Sequence, residues 1–391
     1  MNRGNEDSGR GGVNLPALRG YNEALVLDLL RGAGPAGLGR TELAARTGLT
    51  PQAVSKITAR LGGEGLVEEA GRAASTGGKP STLLRLVPQA RHAVGVHLDR
   101  DELRAVRVDL AGRVVAESNG PLDFGAGPEA AVEAVVRAVA RVADPSGMPL
   151  LGVGVAAPGP LDHQAGAMGR VTGFPSWKGF PLRGVLEGRL ALPVLLDKDT
   201  NAGAAAAAGA WLRDAWPDAD ADAEAGRDAD AGPDADADAY GSGSRTCVYL
   251  HVGTGLGAGL WLGGGVYRGA RSAAGEFGHQ VLLLDGPPCR CGARGCMEVL
   301  CLGAVARGDL PEAARILGEG AANLVALLDV DRVLLGGRVV AAAPEIFVAG
   351  VGAVLAARAL DPARPVVALA GAGVAEGAAE LALAPLFGRA G

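Results

Sequence analysis

Aromatic residues make up only 4% of the 391-residue chain, and no stretch of about 18 apolar residues runs free of charges or helix breakers. The second absence excludes a membrane-spanning helix at the level of sequence. The first segment, MNRGNEDSGRGG, has no apolar core of the kind a secretory leader needs. A cytoplasmic protein is therefore expected. Cysteine is missing from the first 246 residues; all five lie beyond them, three in one cluster. Without an export signal, such clustering points to metal rather than to a disulfide framework. Glycine (63 residues) and alanine are plentiful and inflate apparent helix signals, so turn and cap residues are the better guides to where elements begin and end.

The net charge of −6 conceals a division along the chain. Residues 1–92 carry twelve Lys/Arg against eight Asp/Glu, whereas residues 214–240 carry ten acids against Arg227 alone. A mildly basic head on a nearly neutral body is compatible with a head that binds nucleic acid. The acidic stretch within 214–245 repeats Asp, Ala, Gly and Pro and cannot bury enough apolar surface to order itself. It is expected to be a disordered insertion in a surface loop.

The head reads as a winged helix-turn-helix over residues 1–90. Leu25, Val26, Leu29 and Leu30 have helical spacing. A short helix over 41–47 is followed by Gly48 for a tight turn, Thr50 as N-cap and Pro51 at the first helical position. In the helix over 51–61, Val54, Ile57 and Leu61 share one face. Gln52, Ser55, Lys56 and Arg60 lie elsewhere, free to meet bases or phosphates of double-stranded operator DNA. Two short strands flank a basic tip at Gly77-Gly78-Lys79-Pro80, and Lys79 is placed to reach phosphate or the minor groove.

After residue 90 the pattern becomes α/β through to 391. Strand-like segments such as AVGVHLD, LLGVGVAAPGPLD, LPVLLDKDTN and RTCVYLHVGTGLGAG end in glycine-rich or polar loops and alternate with helices. Two such units predict a two-lobed body with a cleft.

The segment GEFGHQVLLLDGPPCRCGARGCMEVL places His279 ahead of Cys289, Cys291 and Cys296. Three thiolates and one imidazole form a closed tetrahedral set with no open position for water, which favours structural over catalytic zinc. Gly292 and Gly295 let the chain wrap round an ion, and the charged and breaker residues between the cysteines argue against a simple core role. Cys247 and Cys301 sit in strand-like and helix-like segments as small core residues.

This GExGH…CxCGxxGCxE pattern, with GVGVAAPGPLD, PVLLDKDTNA, GTGLGAG and the later LLGG, resembles the ROK family of repressors and sugar kinases across nearly the whole chain. The resemblance implies an actin-like ATPase (sugar kinase-like) body, a zinc site and a homodimer or homotetramer. It implies that Glu276, His279 and Glu298 contact sugar hydroxyls, and that Asp199 occupies the catalytic position. Two departures argue against catalysis. Lys198 stands where the family has Asn; beside Asp199, its ammonium is expected to favour the carboxylate and weaken it as a base. The phosphate loop is replaced by VGVHLDRDEL, in which Asp99, Arg100 and Asp101 stand in place of glycines and threonine. The expected function is a transcriptional repressor, not an enzyme, whose body binds a sugar or sugar derivative that modulates operator binding. An active sugar kinase with a DNA-binding head, and a ligand-independent DNA-binding scaffold, are the alternatives.

Overall fold

The computed structural model describes residues 15–72, 81–143, 147, 149–214, 246–359 and 365–389. The chain divides into two compact units: Met1–Val87 with Ala384–Ala390, and Pro88–Leu383.

The first unit is built on three helices, α1 (Leu15–Ala33), α2 (Arg40–Thr47) and α3 (Pro51–Gly63), and three short strands, β1 (Leu38–Gly39), β2 (Val67–Arg72) and β3 (Thr82–Leu86). Gly48 takes a left-handed conformation (φ 67°) that turns the chain between α2 and α3. The hydroxyl of Thr50 accepts from the Ala53 amide at 3.2 Å, and Pro51 opens the helix. Val54, Ile57 and Leu61 are buried with Leu43 and with Val26, Leu27 and Leu30 of α1. The sheet runs β1-β3-β2, all antiparallel, with Leu38 opposite Leu84 and Val67 opposite Leu86. This is a winged helix-turn-helix. The tip with Lys79 and the acidic repeat from residue 215 to 245 lie outside the described residues.

A segment from the far end of the chain completes this unit. The turn Ala384–Phe387 buries Phe387, the guanidinium of Arg31 lies 4.5 Å from its ring, and Arg389 pairs with Asp28 at 2.7 Å.

The second unit holds two five-stranded mixed sheets with matching topology. In the first, β4 (His92–Leu98) forms a meander with β5 (Glu102–Asp109) and β6 (Val114–Pro121). Then α4 (Pro128–Val142) leads to β7 (Leu150–Ala157), which is parallel to β4. A small hairpin, β8 (Leu161–Asp162) with β9 (Ala167–Met168), and α5 (Leu182–Leu190) precede β10 (Val194–Lys198). The order is β10-β7-β4-β5-β6. Next, α6 (Asp199–Asp214) leads toward the second sheet, where β11 (Cys247–Val252), β12 (Leu256–Leu262) and β13 (Gly265–Val266) repeat the meander. Helices α7 (Met297–Ala306) and α8 (Leu310–Leu328) lead to β14 (Arg332–Gly336), and α9 (Arg338–Ala342) and α10 (Pro344–Arg358) to β15 (Val366–Leu369). Both strands are parallel to β11, in the order β13-β12-β11-β14-β15. The duplicated sheet and crossover helices form the two lobes of an actin-like, sugar-kinase body.

Helix α11 (Val374–Leu383) packs across β4, β7 and α6. The contact needs bare backbone: a Cβ on Gly154 would fall 1.8 Å from the Ala378 carbonyl oxygen, and one on Gly95 would fall 1.9 Å from that of Ala375. A Gly154→Ala variant is therefore expected to destabilise the body by about 3 kcal/mol or more, read as a lowered midpoint in denaturant unfolding.

Candidate functional site

The cleft lies where both sheets send their first hairpin turns and where α6 and α7 begin. Asp199 is the first residue of α6, directly after β10, and Glu298 stands in the first turn of α7. Glu276 and His279 come from the intervening loop, whose tight turn over Phe277–His279 is buried beneath them at Phe277. The four residues Asp199, Glu276, His279 and Glu298 thus line one cavity, although 99 positions separate the first from the last.

The carboxylates differ in environment. Asp199 accepts from the Thr200 amide at 2.6 Å; burial raises its carboxyl above the ordinary carboxylate range, and His251 only partly opposes this. Glu298 accepts from the Leu256 amide at 3.1 Å. Glu276 remains 44% exposed and pairs with the buried Lys198 ammonium at 3.3 Å.

The expectation that Lys198 would hold Asp199 ionised is corrected. At the junction of β10 and α6, successive side chains diverge, and Lys198 Nζ donates to the Ala274 carbonyl and reaches Glu276. Burial of Asp199 outweighs the remaining attraction, so the carboxyl is shifted upward rather than downward.

At the opposite end, the turn after β4 meets the turn between β11 and β12. Thr254 Oγ1 donates to Asp99 Oδ1 at 2.6 Å, the same oxygen accepts from the Arg100 amide at 2.7 Å, and Arg100 Nη1 donates to the Thr254 carbonyl at 3.3 Å. Burial acts to raise Asp99, but these hydrogen bonds outweigh it and hold its carboxyl below the ordinary range. Just outside, Arg338 pairs with Asp101 at 2.9 Å. The protein's own side chains therefore join these two turns.

His251 lines the cleft and was not singled out by the sequence pattern, whereas His97 stands in the replaced VGVHLDRDEL loop. His251 Nδ1 lies 3.0 Å from the Tyr249 hydroxyl, and its ring meets His97 edge-on at 6.2 Å. A histidine inside the buried run CVYLHV, directly before a glycine turn, was the available signal for His251. Asp197 was also missed. It is a buried hub that accepts from the Lys198 amide, from Asn201 Nδ2 at 2.7 Å and from Arg268 Nε at 2.8 Å, and it positions the β10–α6 junction.

Beside the cleft, one ligand atom from each of His279, Cys289, Cys291 and Cys296 lies within 4.8 Å of all the others. Cys289 Sγ is 3.8 Å from His279 Nδ1, and Cys291 Sγ is 3.6 Å from Cys296 Sγ. Tetrahedral zinc requires about 3.6 Å between S and N and about 3.8 Å between two S atoms, so the set fits a structural zinc ion. Gly295 (φ 63°) permits the wrap, since a Cβ there would fall 1.6 Å from the Leu283 carbonyl oxygen. With Nδ1 turned to the cysteines, the other ring nitrogen of His279 is left for the cleft it lines. Cys247 and Cys301 are buried elsewhere, and burial pushes both thiols up to about 12, consistent with inert core residues.

In the winged head, Gln52, Ser55 and Lys56 are exposed on α3. Arg60 is exposed too, but its guanidinium is paired with Glu23 of α1, so it meets a phosphate only by sharing or leaving that carboxylate.

Burial, aided by His251, lowers His97 from 6.5 to about 4, and its Nε2 has no hydrogen-bond partner. The folded state then holds fewer protons than the unfolded state between those values. Its contribution is complete above pH 6.5 and is lost as the pH falls toward 4, by up to about 3 kcal/mol. A His97→Gln variant is expected to flatten the fall of melting temperature across that window; an unchanged acid limb would contradict the assignment.

A model of the ROK family matches residues 218–309, the span that contains the Cys/His knot. A putative xylose repressor from Caldicellulosiruptor sp. (strain Rt8B.4) is 26% identical over 264 residues, 67% of this chain and 59% of that protein. The chain thus spans about three-fifths of the length of this curated relative. A solved ROK family transcriptional regulator, a homolog of the E. coli MLC protein, superposes with a TM-score of 0.70 at 19% identity, over 95% of this chain and 97% of that one. A ROK hexokinase from Thermus thermophilus superposes with a TM-score of 0.53 at 29% identity, over 74% and 96% of the two chains. Sequence and fold both liken this chain to proteins of the ROK family, whose solved members include a transcriptional regulator and a hexokinase.

Proposed function

We propose that the chain is a sugar-responsive, DNA-binding transcriptional repressor. The observation that carries this reading is the asymmetry of the cleft. At one end Asp199, Glu276, His279 and Glu298 offer the acceptors and the imidazole nitrogen that a polyhydroxyl ligand needs. At the other, the Asp99–Thr254 hydrogen bond and the Asp101–Arg338 pair engage the polar groups of the turns that a nucleotide phosphate would need. Binding without phosphoryl transfer is the chemistry such a cleft supports, so the protein is not a kinase. The matched relatives include proteins named xylose repressor and N-acetylglucosamine repressor, which supports the same reading.

The head reads double-stranded operator DNA in this proposal. Helix α3 enters the major groove, with Gln52 and Ser55 at base edges and Lys56 at base or phosphate. Arg60 contacts the backbone after exchanging Glu23 for phosphate, and Lys79 on the wing reaches phosphate or the minor groove. A homodimer or homotetramer presents paired heads to a roughly palindromic site, in the cytoplasm where such DNA lies. A sugar that weakens DNA binding tenfold needs about 1.4 kcal/mol of coupling between cleft and head. Zinc held by His279, Cys289, Cys291 and Cys296 is structural and braces the loop that carries Glu276 and Glu298.

The test is fluorescence anisotropy of the full chain on DNA from its own upstream region, with and without a panel of sugars, sugar phosphates and N-acetyl sugars. Specific binding altered by at least one of them is expected. Binding indifferent to all of them would favour a scaffold, and sugar-dependent ATP turnover would restore the kinase reading. For the knot, Cys291→Ser is expected to release zinc and lower stability by about 3 kcal/mol or more, read by metal content and thermal melting. Full zinc content with an unchanged melting temperature would refute it.

A further inference from the structure

Most charges that line the cleft are already engaged. Asp99 takes the Thr254 hydroxyl and the Arg100 amide, and Lys198 pairs with Glu276. Arg100 and Glu298 are different. Among the described residues, neither forms an ion pair. Arg100 spends one N–H on the Thr254 carbonyl and lies 5.9 Å from the Phe174 ring. Glu298 spends one oxygen on the Leu256 amide.

Both charged ends face the same small space. The point where a Cβ on Gly255 would sit is 3.5 Å from Arg100 Nη2 and 3.4 Å from Glu298 Oε2. The two groups do not close on each other because successive backbone groups of one turn hold them apart, the carbonyl of Thr254 and the amide of Leu256. Gly255, between these anchors, contributes no side chain to fill the gap. The result is a preorganised slot with a guanidinium on one wall and a carboxylate on the other.

We infer that this slot over Gly255 selects a carbohydrate that carries an oxyanion, a carboxylate or a phosphate ester, which Arg100 binds while Glu298 accepts a neighbouring hydroxyl. A guanidinium has five N–H donors in a planar fork that matches either oxyanion, whereas a neutral hydroxyl satisfies only one of them. The inference rests on the sugar-sensor reading and names the ligand class for it.

The test is calorimetric titration of the full-length protein with matched sets: glucose, glucuronate and glucose 6-phosphate; N-acetylglucosamine and its 6-phosphate; xylose and xylonate. In at least one set, the oxyanion member is expected to bind tenfold or more tightly than the neutral member, and that ratio should shrink as salt is raised. The carboxylate and phosphate members separate the two sources of oxyanion. Arg100→Gln should bring the ratio close to one, and Arg100→Lys should restore part of it. Gly255→Ala fills the slot and should also remove the preference, with melting curves used to check that each variant folds.

A neutral sugar that binds as tightly as its oxyanion partner in every set would overturn the inference and leave the sensor reading standing. The same holds for an oxyanion preference that survives both Arg100→Gln and Gly255→Ala. If no member of the panel binds or shifts DNA affinity, both proposals fall together.

Discussion

The hydrogen bond from Thr254 to Asp99 ties the first turn of one sheet to the first turn of the other. Its consequences extend through the cleft. It joins the two turns that line one end of the cleft, and it orients Arg100 through the amide that shares the same carboxylate oxygen. A 2.6 Å bond to an ionised carboxylate, partly out of water, is among the stronger neutral-donor hydrogen bonds a protein makes. In a kinase, that region is kept vacant for a ligand. Here its polar groups are satisfied by one another across the two turns.

The end of the cleft lined by Glu276, His279 and Glu298 depends on a different constraint. The loop between β13 and α7 has little regular structure of its own, yet it carries Glu276, His279 and, at its end, Glu298. Its order comes from the Cys/His knot, from bridges such as Val281 to Cys296, and from the burial of Phe277. His279 belongs to both the knot and the cleft, so the geometry of the ligand site is linked directly to the integrity of the knot. Around both ends, small residues allow elements to pack backbone against backbone: α11 lies against Gly95 and Gly154 so closely that no side chain fits between. Low aromatic content and high glycine content thus reflect how this core is built.

The head shows how an exposed residue can still be committed. Lys56 projects from α3 into solvent, whereas Arg60, one helical turn on, is paired with Glu23. Such a surface pair is worth little in isolation and is screened by salt. Breaking it therefore costs little.

Local features of the chain determined a good deal. Cap and turn chemistry at Gly48, Thr50 and Pro51 placed α3, since those residues act on their own backbone. The spacing from His279 to Cys296 announced the knot, because its ligands lie close in sequence, and the pattern around it carried the family resemblance and the actin-like fold. What depended on groups far apart in the chain was not legible. Asp99 and Thr254 are 155 positions apart, so nothing local announces that they meet. Lys198 and Asp199 are neighbours in sequence, yet a strand-to-helix junction sends their side chains to different partners, and burial reversed the expected shift of Asp199. Residues 384–390 group with the head although they come after almost the whole body, a placement set by the contacts of Phe387 and Arg389 with α1. Hydrogen bonds and burial between distant segments exist only once the chain has folded, and they decided which of the legible residues face the cleft and in what state.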